Sequence, residues 1–156
     1  MAEPARAPVL VIGIGNELRG DDGAGVQVAR RLRAAAADDV EISIHQGEPA
    51  GLIETWRGRE SAVIVDAMRS GVPPGTIRRI DASSDPLPGW LSGSSSTHAL
   101  GLHEAIELAR TLERLPARLI VYAVEGRCFE TGAELSAAVR ARIPQLVSMV
   151  LEETRH

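Results

Sequence analysis

Two apolar segments of the chain run into acidic residues, and these acids are the first candidates for chemistry. Pro8–Gly13 is a short apolar run that passes into a glycine- and acid-rich segment containing Asp22, and a later apolar run ends directly on Asp66. An acid at the end of a buried strand is unusual, because burying a charge is costly unless the charge is paired. His98 is the third candidate, because it opens a helical pattern after a Pro-, Gly- and Ser-rich segment.

These three side chains support two kinds of chemistry. Two carboxylates and one imidazole form a divalent-metal site with nitrogen and oxygen ligands, a set that suits nickel or zinc. Alternatively, two carboxylates placed close together raise the pKa of one of them and act as an acid–base pair on an amide. Structural roles stay open beside these: Asp21 or Asp22 is suited to capping the following helix, and His98 to a backbone hydrogen bond at a helix start.

Strand and helix patterns alternate along the chain in the order β-α-β-α-β-β-α-β-α. This order favours an α/β fold with a mostly parallel sheet that helices cover on both faces. Parallel strands end at the same edge of the sheet, so Asp22 and Asp66 can lie at one edge. In such sheets ligands bind beyond the carboxyl ends of the strands, which makes this edge the expected site. The predicted strands are 8–13, 40–45, 61–66, 75–81 (an edge strand or hairpin arm) and 118–124, and the predicted helices are 26–37, 51–56, 99–114 and 134–152.

Several local expectations can be checked against the structure. Pro144 should kink or break the last helix, because proline removes a backbone hydrogen bond there. One face of the helix that begins near residue 99 should comprise Leu102, Ile106, Ala109 and Leu112. Glu125 could support the site residues from behind, but we favour a solvated strand end for it. We also expect His45 to lie at the surface, Cys128 to be an inert or merely exposed thiol, and residues 87–96 to be mobile.

Composition limits the class of protein. The chain has 156 residues, 44% of them hydrophobic and 24% charged, which suits a single domain over 1–156. One cysteine excludes a disulfide framework. No apolar run approaches the ~20 residues of a membrane span, and the first residues lack a signal-peptide core, so we expect a cytoplasmic protein. A net charge of −4 disfavours nucleic-acid binding, and no extra apolar stripe demands a partner, so we expect a monomer.

Three segments resemble the nickel–iron hydrogenase maturation endopeptidases. Val9–Gly25, with the sequence VLVIGIGNELRGDDGAG, resembles the opening of that family. Asp66 within VIVDA resembles its second signature, and SSTHALGL, which contains His98, resembles its third. Pro74–Ile77 and Leu119–Glu125 also fit, so the resemblance covers nearly the whole chain in the right order.

The resemblance implies a fold, an activity and a site. It implies a three-layer α/β/α domain with a twisted sheet of about five strands, and a protease that removes the C-terminal extension of a hydrogenase large-subunit precursor. Nickel in that precursor would be the recognition element, supplied by the precursor rather than held permanently. Carried over to this chain, the residues that contact the metal and serve catalysis are Asp22, Asp66 and His98.

Other functions remain as alternatives at this stage. An assembly factor that holds the nickel-loaded precursor without cutting it would use the same side chains. Peptidyl-tRNA hydrolases also open with a strand and Gly-x-Gly-Asn, but this chain lacks their later Arg-His-Asn segment, and its acidity disfavours a tRNA substrate. A small-molecule binder would place a ligand phosphate on the 20–25 turn, where two adjacent acids oppose it.

Overall fold

The computed structural model describes residues 9–35, 38–92 and 97–155, and of residues 92 and 97–100 it describes the backbone alone. A 3-10 turn at Gly20–Gly23 precedes the first helix. The strands are β1 Val9–Ile14, β2 Val40–His45, β3 Ser61–Met68, β4 Ile77–Asp81 and β5 Arg118–Glu125. The helices are α1 Ala24–Ala35, α2 Pro49–Trp56, α3 Gly89–Ser92, α4 Thr97–Thr111, α5 Ala137–Arg140 and α6 Ile143–Thr154.

All five strands form one sheet in the order β2-β1-β3-β5-β4. β1 pairs in parallel with both β2 and β3, and β3 pairs in parallel with β5, so these four strands end at the same edge. β4 runs antiparallel to β5 at the other side of the sheet. Only residues 69–76 join β3 to β4, which is too short for the crossover that a parallel strand requires. The predicted mostly parallel α/β sheet and the edge position of 75–81 are therefore confirmed.

The sheet lies between two layers of helices, and successive side chains of each strand enter opposite layers. Leu10 and Ile12 of β1 pack in a core with α2 and α4, whereas Val9 and Val11 pack in a second core with α1 and α6. Because β1 is central, all of its residues are buried. That is why β1 reads as a continuous apolar run rather than an alternating one.

Helix α6 is fastened to the sheet by a charged cluster near its end. The carboxylate of Glu153, which is 6% exposed, accepts hydrogen bonds from Arg79 Nε at 2.7 Å and from the Tyr122 hydroxyl at 2.7 Å. Arg118 donates a further bond to the same carboxylate. The hydrogen bond from Arg79, followed by the one from Tyr122, lowers the pKa of Glu153 to about 2 against the opposing effect of burial.

Three local predictions, on Pro144, on one face of α4 and on residues 87–96, differ in their outcome. The predicted interruption at Pro144 is confirmed as a break: α5 ends at Arg140, and the proline stands in the first turn of α6, where its missing N–H costs no helical bond. The predicted face of α4 is wrong at Leu112, which is 49% exposed because the helix ends at Thr111. Within 87–96, residues 89–92 form α3, and residues 93–96 lie outside the described part of the chain.

Candidate active site

The turn that carries Asp22 is folded back onto the end of β1. Gly15 has a φ of +147°, and a Cβ at this position would lie 1.9 Å from the carbonyl oxygen of Asp22, so a glycine is required for the approach. Asp22 is 1% exposed. Its Oδ2 accepts a hydrogen bond from the backbone N–H of Asn16 at 3.1 Å. The loop after β1 therefore orients this carboxylate at the carboxyl edge of the sheet.

Asp66 occupies the same edge on the neighbouring strand. It lies in β3 and is 2% exposed. Because Ile64 on the same strand face packs with α2 and α4, strand alternation directs the Asp66 side chain toward that helix layer. A Cβ on Gly25 would lie 2.4 Å from the carbonyl oxygens of both Ile14 and Val65, so α1 begins directly against the ends of β1 and β3. The structure thus brings the Asp22 turn to the strand that carries Asp66.

His98 is the second residue of α4. One helical turn further on, a Cβ on Gly101 would lie 2.4 Å from the carbonyl oxygen of Gly47, just beyond the end of β2. The first turn of α4 therefore rests at the carboxyl edge of the sheet, in the layer that Asp66 faces. The imidazole of His98 lies outside the described side chains. Within the side chains that are described, no three His, Cys, Asp or Glu residues form a metal-binding group. The site of Asp22, Asp66 and His98 stays a prediction.

Asp21 has a role unlike that of its neighbour. It is completely buried, and its Oδ2 accepts hydrogen bonds from the N–H groups of Arg127 at 2.7 Å and Cys128 at 3.1 Å. The backbone N–H and hydroxyl of Ser136 donate to Oδ1 and Oδ2, at 2.7 and 2.8 Å respectively. None of these donors belongs to α1, so Asp21 is not the cap of that helix. Instead it fastens the segment after β5 to the turn that carries Asp22.

Glu125 was expected at a solvated strand end, and that expectation is wrong. It is 2% exposed, and its carboxylate accepts bonds from the N–H of Ser70 at 2.8 and 3.1 Å and from the Ser70 hydroxyl at 2.5 Å. Glu125 pairs in register with Met68, two residues beyond Asp66 on β3. It therefore fixes the segment that leaves β3 immediately after the candidate carboxylate.

His45 supports the segment on which α4 rests. Its side chain is partly buried, and Nδ1 accepts a hydrogen bond from the N–H of Gly47 at 2.8 Å. Burial lowers the pKa of His45 against the opposing influence of Glu48. An accepting Nδ1 requires the imidazole to be uncharged. The alternation of β2 indicated a surface residue, but the turn at Gly47 that encloses the ring has no strong sequence signal.

Comparison with known proteins decides the family. A family model described as hydrogenase maturation protease matches residues 26–153. The chain belongs to the hydrogenase maturation protease family. The matched range includes Asp66 and His98 and begins four residues after Asp22.

Similar members of the hydrogenase maturation protease family come from several bacteria. A hydrogenase expression/formation protein of Thiocapsa roseopersicina is 30% identical over 92% of this chain, which spans 66% of that relative's length. The corresponding protein of Rhizobium leguminosarum is 28% identical over 97% of this chain and 77% of its own length. The hydrogenase 2 maturation protease of Escherichia coli is 27% identical over 94% of this chain and 90% of its own length.

Solved structures of the hydrogenase maturation protease family share the fold. The hydrogenase maturating endopeptidase HybD of Escherichia coli superposes with a TM-score of 0.81 at 28% identity, over 97% of this chain and 93% of that one. The maturation protease HybD of Thermococcus kodakarensis gives 0.73 at 25% identity, over 96% and 99%. The family is one of peptide-bond hydrolases that act in hydrogenase maturation. Among the described residues, no helix has the length and apolarity to cross a membrane.

Proposed function

We propose that this protein is the endopeptidase that removes the C-terminal extension of a hydrogenase large-subunit precursor in the cytoplasm, after nickel has entered that precursor. Nickel is part of the substrate in this proposal and is not a resident cofactor. Family membership supports the peptidase activity and the role in hydrogenase maturation. The extension, the nickel dependence and the residue roles are the parts that experiment has to test.

One observation carries the proposal: two nearly inaccessible carboxylates, Asp22 and Asp66, belong to neighbouring elements at the carboxyl edge of the sheet. The first turn of α4, which contains His98, lies against this edge through the contact between Gly101 and Gly47. Such an edge is where ligands bind in open α/β sheets. Carboxylate and imidazole groups are ligands that a divalent nickel ion accepts.

The proposed chemistry follows from the charges of these side chains. Asp22 and Asp66 supply negative charge, and neutral His98 supplies a nitrogen ligand, so that together they complete the coordination of the precursor's nickel. A divalent ion held there polarises a peptide carbonyl and lowers the pKa of a bound water. The close contact of Gly15 with Asp22 fixes the loop after β1, and in this proposal that loop holds the first carboxylate near the scissile peptide.

The decisive experiment combines the purified protein with two forms of the precursor, one nickel-loaded and one nickel-free. Intact mass spectrometry should reveal loss of a C-terminal fragment from the nickel-loaded form alone. Equal shortening of both forms would contradict nickel recognition. Stable binding without any shortening would instead identify a non-catalytic assembly factor.

Substitutions test the three residues. We expect Asp22→Asn, Asp66→Asn and His98→Ala each to lower the cleavage rate by at least about a hundredfold, while the circular dichroism spectrum stays that of the folded protein. His103→Ala, five residues further along α4, is the matched control and should cleave normally. Normal processing by both Asp22→Asn and His98→Ala would refute the assignment of the site.

A further inference from the structure

A groove lies beside the turn that carries Asp22, on the α1 side of the sheet edge. We propose that this groove binds the C-terminal extension of the precursor, with an apolar residue of the extension against Leu18 and an acidic residue paired with Arg31. The inference rests on the proposed function and specifies how the same site selects its substrate.

The groove adjoins the turn that carries Asp22, although Asp22 itself is 1% exposed and is not among the residues that line the groove. Gly20 and Gly23, which bound the turn containing Asp22, both line it. The other walls come from α1, from residues 132–135 and from the first residue of α6. Its volume of about 640 Å³ is within the range of sites that enclose a small ligand, so it accommodates a few residues of an extended peptide. A peptide bound here would therefore lie against the turn that carries Asp22.

The walls of the groove are fastened together before any peptide binds. Gly132 donates its N–H to the carbonyl oxygen of Leu18 at 2.7 Å, and Gly20 donates to that of Ala133 at 3.0 Å. Buried Asp21 adds its four hydrogen bonds to the same two segments. The groove is therefore already ordered before the peptide binds. Peptide binding does not have to supply the conformational entropy that ordering these loops would cost.

Leu18 provides an apolar contact at a fixed position. Leu18 is 68% exposed, which is more than any other large hydrophobic residue in the part of the chain that the structure describes. Asn16 holds the loop on both sides: its Oδ1 accepts the N–H of Leu18 at 2.9 Å, and its own N–H donates to Asp22. The leucine is thus held in water beside the candidate carboxylate, where a partner's apolar side chain would cover it.

Two described arginines line the groove, and one of them, Arg31, is available for the substrate. Arg30 pairs with Glu17 at 2.5 Å, and Arg140 pairs with Glu134 at 3.5 Å. Arg31 lines the groove and has no ion pair with any described residue. At a rise of about 1.5 Å per residue, Arg31 stands about 10 Å along α1 from its start. An extended peptide covers this distance with about three residues. If the cleaved bond lies beside Asp22, the acidic residue of the extension that reaches Arg31 stands a few positions after that bond.

The occupant is assigned to the extension because of where the other site residues lie. Asp66 faces the α2 and α4 layer, and α4 carries His98, so the nickel-bearing body of the precursor approaches from that layer. The groove opens on the opposite layer, with α1. A short unfolded segment that leaves the nickel centre past Asp22 enters the groove, whereas a folded domain does not fit into it.

Kinetics with the nickel-loaded precursor test the two contacts. We expect Arg31→Glu and Leu18→Ser each to raise KM about tenfold with little change in kcat, since the contacts exist equally in the bound and transition states. Arg33→Glu on α1 and Leu108→Ser on α4 are matched exposed controls and should leave both constants unchanged. Unchanged KM in both groove variants would overturn the inference. Wild-type protein that cleaves no precursor would instead contradict the proposed function.

Binding without cleavage provides a second test. A synthetic peptide of the extension, taken from the large-subunit gene of the same genome, should shift the amide NMR signals of Leu18, Gly20, Gly132 and Arg31. Replacing the acidic residue near the start of the peptide by lysine should weaken binding to the wild type and restore it to Arg31→Glu. Shifts confined to another surface would overturn the inference, as would a wild-type dimer that Leu18→Ser dissociates, because a second copy would then occupy the groove.

Discussion

Replacing Asp21 by alanine should show that Asp21 and Asp22 have different roles, because the two adjacent acids have different surroundings. Asp21 is fully buried and accepts four hydrogen bonds from donors more than a hundred residues further along the chain. Alanine removes all four acceptors and leaves three backbone N–H groups and one hydroxyl without their partner. The variant should therefore loosen the turn that positions Asp22, although it replaces none of the candidate ligands.

The magnitude follows from the number and kind of these bonds. Hydrogen bonds to a charged group contribute about 1.5–3 kcal/mol each, and a buried donor without an acceptor costs about 1–3 kcal/mol. These values do not add, because water enters the space left by the carboxylate. We therefore expect a loss of about 3–5 kcal/mol in the free energy of unfolding, a large part of the total of about 5–15 kcal/mol for a domain.

Urea denaturation followed by circular dichroism measures this loss. Ser136→Ala is the graded control, because it removes the hydroxyl bond at 2.8 Å and keeps the other three, so it should cost only about 1 kcal/mol. Asp22→Asn keeps an oxygen that can accept from Asn16 and should unfold near the wild-type midpoint. If Asp21→Ala loses no more stability than Ser136→Ala, the four bonds do not have the role assigned to them.

Three further predictions concern the surroundings of the site. Glu153→Gln should lower stability by up to about 3 kcal/mol at neutral pH, because the pKa of Glu153 is lowered to about 2 in the folded protein. This stabilisation is present above pH 4.5 and is lost as the pH falls toward 2, so the urea curves of wild type and variant should converge across this range. Gly101→Ala should destabilise the fold by about 1–3 kcal/mol, measured by thermal melting, because the added Cβ meets the backbone of Gly47. His45 should titrate by NMR below 6.5, and stability should fall as the pH drops through that range, since burial disfavours the charged ring.

Two of these predictions have matched controls in the chain. Glu152 is exposed, so Glu152→Gln should change stability little and should not reproduce the pH dependence of Glu153→Gln. Gly89 has open space where a Cβ would stand, so Gly89→Ala should be tolerated. A Gly101→Ala variant as stable as wild type would indicate that α4 can move away from the end of β2. An NMR titration midpoint for His45 at or above pH 6.5 would contradict the partly buried environment of its ring.

The elements were predictable where a local pattern decides them. Apolar runs such as Pro8–Gly13 identified the buried parallel strands, here β1 at Val9–Ile14, and Pro144 marked the break before α6. The position of the Asp22 turn and of the end of β3 at one edge of the sheet followed from a general rule, that parallel strands end at one edge. The sheet order β2-β1-β3-β5-β4 was not predicted, because it depends on which strands pair across the chain.

Residues whose partners are distant in sequence were harder to interpret. Nothing in the local sequence distinguishes Asp21 from Asp22, because the donors to Asp21 lie at 127, 128 and 136. Glu125 was misjudged for the same reason, since Ser70 is far from it along the chain. Leu112 followed the helical period, but the helix stops one residue before it. For Asp21 and Glu125, burial of the side chain depends on a segment far away in the sequence, whereas for Leu112 the position of the helix end decided the exposure.

The bonds of Asp21 have a consequence for biosynthesis. A ribosome releases Asp21 long before Arg127, Cys128 and Ser136 emerge, so a partly synthesised chain lacks the donors that hold the 20–23 turn. Until those donors have been made, the Asp21 carboxylate lacks all four of its hydrogen bonds, and the turn depends on local contacts such as those of Gly15 and Asn16 with Asp22. The turn that carries Asp22 therefore gains its attachment to the segment after β5 only once residues 127–136 have been synthesised.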